Sequence, residues 1–277
     1  PGQRVLSEVI DATLPVTAGT ESVHGNRYYR LRREAGSGEP VAATLRWTVA
    51  RSTVTGADEN VLGDTDRALY LQPNQLVPVG HEVLAPIQAE IYKQRTGESK
   101  PETARAIYEW IVDNVEYKKV GTGWGNGDTF WACNERYGNC TDFHALFISL
   151  ARSEDIPARF EIGFPVPADR PQGEIKGYHC WVKFYLPGSG WLPIDASEAA
   201  KHPELREQLY GSAPADRILF TTGRDLVLEA GSKSPPLNYF IYPYAEVAGQ
   251  PWREKIATRF TFREVSPPVA YNPQSSQ

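Results

Sequence analysis

The 277-residue chain contains no methionine and only three cysteines, and no apolar run in it approaches the ~18 residues that a membrane-spanning helix requires. Positive charge is not in excess either, since the net charge is −5 and the pI is about 5.7. Such a balance does not favour nucleic acid or an anionic membrane as a partner. With 41% hydrophobic residues, the chain can nevertheless bury a sizeable core. We therefore expect a soluble globular protein that binds neither nucleic acid nor membrane.

The numbered chain also lacks an initiator methionine and begins at Pro1. We expect a processed or truncated product, as removal of an export signal would leave. The cysteines Cys133, Cys140 and Cys180 leave one odd thiol in any disulfide pairing. One disulfide with one free thiol suits an exported protein, whereas three reduced thiols suit the cytoplasm. Periplasmic or extracellular localisation is the expectation, with the cytoplasm and a Cys133–Cys180 disulfide both left open.

The first quarter of the chain predicts antiparallel β-structure. Residues 28–32 and 44–49 alternate apolar and polar side chains, so that each strand buries one face only. We predict an N-terminal β-rich domain over residues 1–75 and a larger second domain over residues 76–250. Residues 251–277 are predicted to form a strand and a tail, with the strand returning to the N-terminal β layer.

The second domain opens with helical patterns. Apolar residues recur at helical spacing over residues 79–93, and again over residues 101–117, where Ser99 is a candidate N-cap. A connection rich in glycine and aromatic residues follows over residues 120–139. A loop of that length is typical of a functional segment, so we interpret it as a wall of the binding cleft. A structural Ω-loop, pinned by its own aromatic side chains, is the alternative.

Cys140 follows a Gly138-Asn139 turn signal and opens an apolar run to Ala151. An apolar pattern on all sides is typical of an enclosed helix. The free N–H groups and the dipole at a helix N-terminus favour thiolate over thiol, and a lowered pKa makes cysteine a nucleophile. Taken alone, such a cysteine is more often a buried structural residue. Whether the rest of the chain supplies a base and an orienting acid decides between a nucleophile and a structural cysteine.

Residues 178–195 predict a β-hairpin that turns at residues 187–190. Period-two alternation places Cys180 on the apolar face and His179 on the opposite face. Matching the apolar faces of the two strands puts His179 and Asp195 on the same side of the sheet, and a one-residue slip would bury the charged Asp195.

These residues together have the composition of a Cys-His-Asp catalytic triad. Cys140 would attack an acyl carbon, His179 would exchange protons with it and with the leaving group, and Asp195 would orient the imidazole. The backbone N–H of Cys140 and a donor from the preceding loop would stabilise the oxyanion. Trp124 and Trp131 are equal candidates for that second donor.

Three sequence blocks then resemble the motifs of the transglutaminase-like superfamily. They are residues 139–144 (NCTDFH), 177–181 (GYHCW) and 190–195 (GWLPID), and the resemblance runs from about residue 104 to residue 197. It implies an α+β, papain-like/transglutaminase-like core in which a central helix packs on an antiparallel sheet. The N-terminal antiparallel β layer lies outside the resemblance, and the second domain is the catalytic one.

The resemblance implies the same three roles for Cys140, His179 and Asp195, in a bacterial transglutaminase-like cysteine protease. We expect an acyl-transfer enzyme, a thiol hydrolase acting on amide bonds of peptide or protein substrates. The chain is much shorter than animal crosslinking enzymes and shows no acidic calcium loop, which favours hydrolysis over glutamine transamidation. Protein crosslinking and a catalytically silent binding module remain the alternatives.

Two further interpretations compete for the same side chains. His144 lies one helical turn below Cys140 and could act as the base, but it is expected in the core, hydrogen-bonded. The cysteines and His179 could be zinc ligands, yet His179 and Cys180 should point to opposite faces of the sheet and no Cys-x-x-Cys pair exists. No cofactor and no metal are predicted, and Cys180 is expected to be plain core.

Overall fold

The computed structural model describes residues 2–34, 38–56, 61–229, 234–252, 254 and 256–265, with strands at both ends of the chain and helices in its middle. The strands are β1 (Gln3–Ala12), β2 (Val16–Thr20), β3 (Arg27–Leu31), β4 (Ala43–Arg51), β5 (Val54–Thr55), β6 (Glu116–Tyr117), β7 (Tyr137–Gly138), β8 (Ala158–Pro165), β9 (Gln172–Glu174), β10 (His179–Leu186), β11 (Gly190–Ile194), β12 (Ser212–Ala213), β13 (Arg217–Thr222), β14 (Glu246–Val247), β15 (Gln250–Pro251) and β16 (Thr261–Arg263). The α-helices are α1 (Asp64–Leu69), α2 (Ala85–Gln94), α3 (Lys100–Asn114), α4 (Thr129–Glu135), α5 (Cys140–Ser153) and α6 (Ala196–Lys201), and short 3-10 turns lie at Glu82–Leu84 and Pro203–Leu205.

The core is built from one helix on one sheet. Strands β11, β10, β8 and β13 lie side by side in that order, and each pair is antiparallel. Helix α5 is buried from Cys140 to Arg152, as its apolar sequence requires, and the Phe147 ring lies 5.7 Å from that of Phe184 on β10. The predicted α+β class, with a central helix packed on an antiparallel sheet, is confirmed.

Local capping explains where the helices begin. The Asn139 side chain caps α5 by accepting a hydrogen bond from the Thr141 N–H at 2.9 Å. In turn, the Asp142 carboxylate accepts a hydrogen bond from the Asn139 N–H, also at 2.9 Å. Helix α3 starts in the same way at Ser99, whose hydroxyl accepts the Glu102 N–H, so the predicted cap is confirmed. These caps place the Cys140 backbone at the open, positive end of the α5 dipole.

The hairpin of β10 and β11 has the predicted register. Val182 lies opposite Ile194 and Phe184 lies opposite Leu192, so the apolar side chains of both strands share one face. The pairing stops at Leu186 opposite Gly190, which leaves Asp195 directly beyond the end of β11.

The connection over residues 120–139 is not the continuous loop that the sequence predicted. Helix α4 occupies Thr129–Glu135, and Asp128 caps it by accepting the Phe130 N–H at 2.8 Å. Strand β7 then pairs in parallel with β6. A seven-residue helix spans only two turns, too few for a hydrophobic period to show in the sequence.

The N-terminal strands pack against the free edge of the central sheet. The Gln3 side chain exchanges two hydrogen bonds with the Leu219 backbone of β13, at 2.9 and 2.7 Å. Asn26 likewise bonds the Thr222 backbone in both directions, at 2.7 and 2.8 Å. The strands predicted over residues 28–32 and 44–49 are present as β3 and β4. The domain boundaries near residues 75 and 250 stay a prediction.

The predicted return of the last strand to the N-terminal β layer is wrong. Strand β16 pairs instead with β9, in the connection between β8 and β10. Just before it, Phe260 packs on Phe164 of β8 with ring centroids 4.4 Å apart. Burial of this aromatic pair brings the segment to the central domain. The predicted tail from residue 267 onward lies outside the described residues.

Candidate active site

The structure brings the three predicted site residues together where two elements begin. Cys140 is the first residue of α5, His179 is the first residue of β10, and Asp195 follows the last residue of β11. Nε2 of His179 lies 2.6 Å from Oδ2 of Asp195, and the His179 side chain also interacts with the Cys140 sulfur. Because Asp195 occupies Nε2, Nδ1 is the ring nitrogen left for Cys140. The geometry suits a triad, while the catalytic roles stay a prediction.

Electrostatics favour an ion pair between Cys140 and His179. Hydrogen bonds from Cys180 and His179, with the charge of His179, hold the pKa of Cys140 well below its ordinary value although burial opposes this. Burial also opposes a charged imidazole, but Asp195 and the Cys140 thiolate outweigh it and raise the pKa of His179 to about 10. Burial disfavours the charged Asp195 carboxylate too, yet His179 keeps its pKa below the ordinary range. Thiolate, imidazolium and carboxylate thus coexist near neutral pH.

The second carboxylate oxygen of Asp195 is held by the backbone and side chains of α6. Asp195 is the N-cap of that helix, and its Oδ1 accepts the Glu198 N–H and the Ser197 hydroxyl, both at 3.0 Å. Oδ1 therefore holds the carboxylate in place through α6, while Oδ2 bonds His179. Sequence reasoning assigned the orienting role to Asp195 but missed the capping contacts that hold it, although Asp-x-x-Glu is a recognisable helix start.

Asp142 is a buried residue of the site that sequence reasoning missed. Its carboxylate accepts the backbone N–H groups of Gly125 at 2.7 Å, Gly127 at 3.0 Å and Asn139 at 2.9 Å. Burial raises its pKa, and these three backbone bonds oppose the rise. Asp142 thereby ties the glycine-rich loop to the start of α5. The Asn-x-x-Asp capping pattern was the signal that could have identified it.

Neither tryptophan proposed as an oxyanion donor offers a free indole N–H in this conformation. Trp124 donates to the Gly121 carbonyl at 3.1 Å, and Trp131 donates to the Tyr137 carbonyl at 2.9 Å. Both side chains stabilise the loop instead. The backbone N–H of Cys140 is the predicted donor that remains.

Tyr178 and Tyr239 interact with Cys140, a residue that is only 2% exposed. Tyr239 donates its hydroxyl to the Gly125 carbonyl at 3.0 Å, and Tyr178 accepts a hydrogen bond from Asn139 at 3.2 Å. Their ring centroids lie 5.8 Å apart. Cys140 is therefore closed to a bulky reagent in this conformation. Nothing in the sequence pattern near residue 239 indicated that it meets residue 125.

His144 lies in the core, as expected, but beneath the site. Its ring is fully buried, and burial lowers its pKa, which favours a neutral imidazole. Nδ1 lies 3.3 Å from the Cys180 sulfur and Nε2 lies 3.6 Å from Oδ1 of Asp195. Cys180 lies in the hydrophobic core, as expected, and it also interacts with Cys140.

The remaining cysteine chemistry is simple. All three cysteines are free thiols, so the Cys133–Cys180 disulfide that was left open is not formed. Burial raises the pKa of Cys133 to about 11, which makes it an inert thiol at neutral pH. Throughout the described part of the chain, no cluster of three His, Cys, Asp or Glu side chains is arranged to hold a metal ion.

Comparison with known proteins finds a family model that is similar to part of the chain. Residues 87–196 match the family model of the transglutaminase-like superfamily, and that range contains Cys140, His179 and Asp195. The predicted resemblance and the papain-like/transglutaminase-like fold are thereby confirmed.

A structural relative supports the fold beyond this core. The crystal structure of a proposed cysteine protease from Cytophaga hutchinsonii has a TM-score of 0.55 and 24% sequence identity, covering 80% of this chain and 71% of that one. The periplasmic domain of TgpA from Pseudomonas aeruginosa is more distant, with a TM-score of 0.41 and 18% identity over 73% of this chain and 72% of that one.

A sequence relative is an uncharacterised protein of Haemophilus influenzae. It is 30% identical over 195 residues, covering 59% of this chain and 53% of the relative. The chain therefore spans about half the length of that curated relative.

Proposed function

We propose that this chain is a cysteine-nucleophile acyl-transfer enzyme that hydrolyses amide bonds in peptides or proteins. The observation that carries the proposal is the 2.6 Å bond between His179 and Asp195 beside a cysteine at a helix N-terminus. The transglutaminase-like core and the similarity to a proposed cysteine protease support the same chemistry. Because a fold does not name a substrate, the geometry of the site bears the argument.

Acylation uses the ion pair. The Cys140 thiolate attacks the carbonyl carbon, the C–S bond forms, and the carbonyl oxygen becomes an oxyanion near the Cys140 N–H. The His179 imidazolium then gives its Nδ1 proton to the leaving nitrogen as the C–N bond breaks. Asp195 holds the ring orientation through Nε2 and stabilises its charged form.

Deacylation reverses the proton transfer. Neutral His179 takes a proton from water, and the resulting hydroxide attacks the thioester carbon. Cleavage of the C–S bond releases the carboxylic acid and restores the thiolate and imidazolium pair. An amine in place of water would complete transamidation by the same steps, so the acceptor alone separates the two reactions.

The test uses the intact chain with an acyl-peptide library, a labelled primary amine and mass spectrometry. Hydrolysed products or released ammonia without amine incorporation support the hydrolase. Efficient incorporation of the amine would instead establish the transamidation alternative. Cys140→Ser should abolish product formation, while Cys133→Ser, at a buried thiol in α4, should retain it. No product from any peptide or glutamine substrate would favour the silent binding module.

Export to the periplasm or the exterior is a separate proposal about this chain. No helix within the described residues is both long and apolar enough to cross a membrane. The three free thiols do not add support for an oxidising compartment. Fractionation of cells that express the natural gene decides: recovery with cytoplasmic markers would overturn export.

A further inference from the structure

Five buried side chains form a closed ring at the nucleophile. From Cys140 the ring passes through Cys180, whose sulfur lies 3.3 Å from Nδ1 of His144. Nε2 of His144 faces Oδ1 of Asp195 at 3.6 Å, and Asp195 returns to Cys140 through His179. The triad chemistry accounts for three of these residues. It leaves Cys180 and His144 without a role, although Cys180 interacts with the Cys140 sulfur.

We propose that the Cys180 thiol donates a second hydrogen bond to the Cys140 thiolate, and that His144 positions this thiol. The catalytic meaning of the contact rests on the proposed function. The contact itself is measurable without any substrate, through the reactivity of the Cys140 sulfur.

Charge decides which sulfur keeps its proton. Cys140 has His179 and the α5 N-terminus on its side, so it is the ionised partner. Cys180 is fully buried within the strand, and burial together with the neighbouring Cys140 thiolate raises its pKa well above the ordinary value. Two adjacent thiolates would repel each other in a medium of low dielectric constant. Cys180 therefore remains S–H, and a donor faces an acceptor.

The position of His144 orients that donor. As a neutral imidazole it carries a single N–H, and a separation of 3.6 Å from Asp195 is too long for a hydrogen bond. Oδ1 of Asp195 already accepts Ser197 and Glu198, and Nε2 of His144 has no hydrogen-bond partner among the described residues. In the proposed arrangement the His144 proton lies on Nδ1, 3.3 Å from the Cys180 sulfur. His144 then donates a hydrogen bond to the Cys180 sulfur, and the Cys180 S–H donates one to the Cys140 thiolate.

Other titratable groups also face these sulfurs from neighbouring elements. Around Cys140 and Cys180 they are Tyr117 of β6, Tyr178, Tyr239, Tyr242, Asp142 of α5, Asp195 and Arg224. Burial raises the pKa of each of the four tyrosines, so they stay neutral in acidic and neutral solution. Changes at Cys180 leave all seven groups in place.

The experiment measures the pH dependence of iodoacetamide labelling of Cys140 in the full chain. Cys180→Ala should slow labelling in mildly acidic solution by about tenfold to hundredfold, the usual weight of a hydrogen bond to a charged group. Cys180→Ser keeps an O–H donor and should restore most of the rate. Cys133→Ala removes another buried thiol, in α4, and should leave the profile unchanged. An unchanged profile in Cys180→Ala, or equal losses in the Ala and Ser variants, would overturn the proposal.

Two variants test the positioning role of His144. His144→Asn can place an N–H near the position of Nδ1, whereas His144→Leu has none. The Leu variant should shift the Cys140 profile to higher pH and the Asn variant should shift it less; equal shifts would refute the positioning role. Thermal unfolding verifies that each variant is folded. A wild-type enzyme that lacks amide-bond activity but shows these shifts would refute the proposed function and leave the hydrogen bond established.

Discussion

Replacing His179 with alanine tests the ion pair that underlies the whole site. An ordinary thiol with a pKa of about 8.5 is only about 0.3% thiolate at pH 6. In the wild-type chain the lowered pKa of Cys140 raises its thiolate fraction above that level, with full ionisation as the upper limit. Loss of the imidazolium should therefore slow alkylation of Cys140 by up to about 300-fold at pH 6. The observed loss should be smaller, since a less basic thiolate is also a weaker nucleophile, and Cys180 and the helix end remain.

The sign of the pH dependence follows from the two shifts. The pKa of Cys140 is lowered, so its thiolate persists above that lowered value and is lost as the pH falls through it. The pKa of His179 is raised to about 10, so its positive charge persists below pH 10 and is lost as the pH rises through it. Amide cleavage needs both charges at once. The rate should hence show a plateau that ends near pH 10 on the alkaline side.

The assay is iodoacetamide labelling from mild acid to pH 10, followed peptide by peptide in a mass spectrometer. Cys133 serves as an internal reference, because burial raises its pKa to about 11 and it should label slowly throughout. A wild-type Cys140 rate that climbs tenfold per pH unit, as for an ordinary thiol, would refute the reasoning. So would identical profiles in the wild type and in His179→Ala.

Three further predictions follow from single contacts. Asp195→Asn keeps the size of the side chain but removes its charge, so kcat/KM should fall by about a hundredfold or more while the thermal midpoint moves little; an unchanged kcat/KM refutes the orienting role. Asp142→Ala removes the acceptor of three backbone N–H groups and should cost about 3 kcal/mol in the free energy of unfolding, measured by urea denaturation; a loss below about 1 kcal/mol contradicts this. Tyr239→Phe loses the bond to Gly125 and should speed labelling of Cys140 by a bulky maleimide more than by iodoacetamide, whereas equal effects would show that Tyr239 is no barrier.

The sequence predicted the parts of the site whose causes are local. A turn signal before an apolar run was sufficient to place Cys140 at a helix start. Period-two alternation was sufficient to set the hairpin register, because a one-residue slip would turn the apolar side chains of one strand away from the core. Asp195 is buried even in the observed register, where His179 pairs with it. These signals depend on neighbours within a few residues or on one pairing of adjacent strands. They therefore survive without knowledge of the rest of the fold.

Helix α4 and the path of the last strand escaped prediction for a different reason. Two turns of helix carry too few residues to show a period, so the start of α4 depends on the Asp128 cap. Strand β16 follows Phe260, whose ring finds Phe164 about a hundred residues earlier in the chain. No pattern within either segment specifies such a contact.

The sequence by itself determined the candidate set of Cys140, His179 and Asp195, because each candidate follows from strand parity or helix position. Only the tertiary structure decided what surrounds that set. Packing of α5 on β10 brings His144 and Cys180 together beside it, and Tyr239 reaches the Gly125 carbonyl of the neighbouring loop. The physical reason is that the electric field at a thiolate and the exposure of its sulfur both depend on contacts with elements that are far apart in the chain. Those contacts exist only after the core has packed.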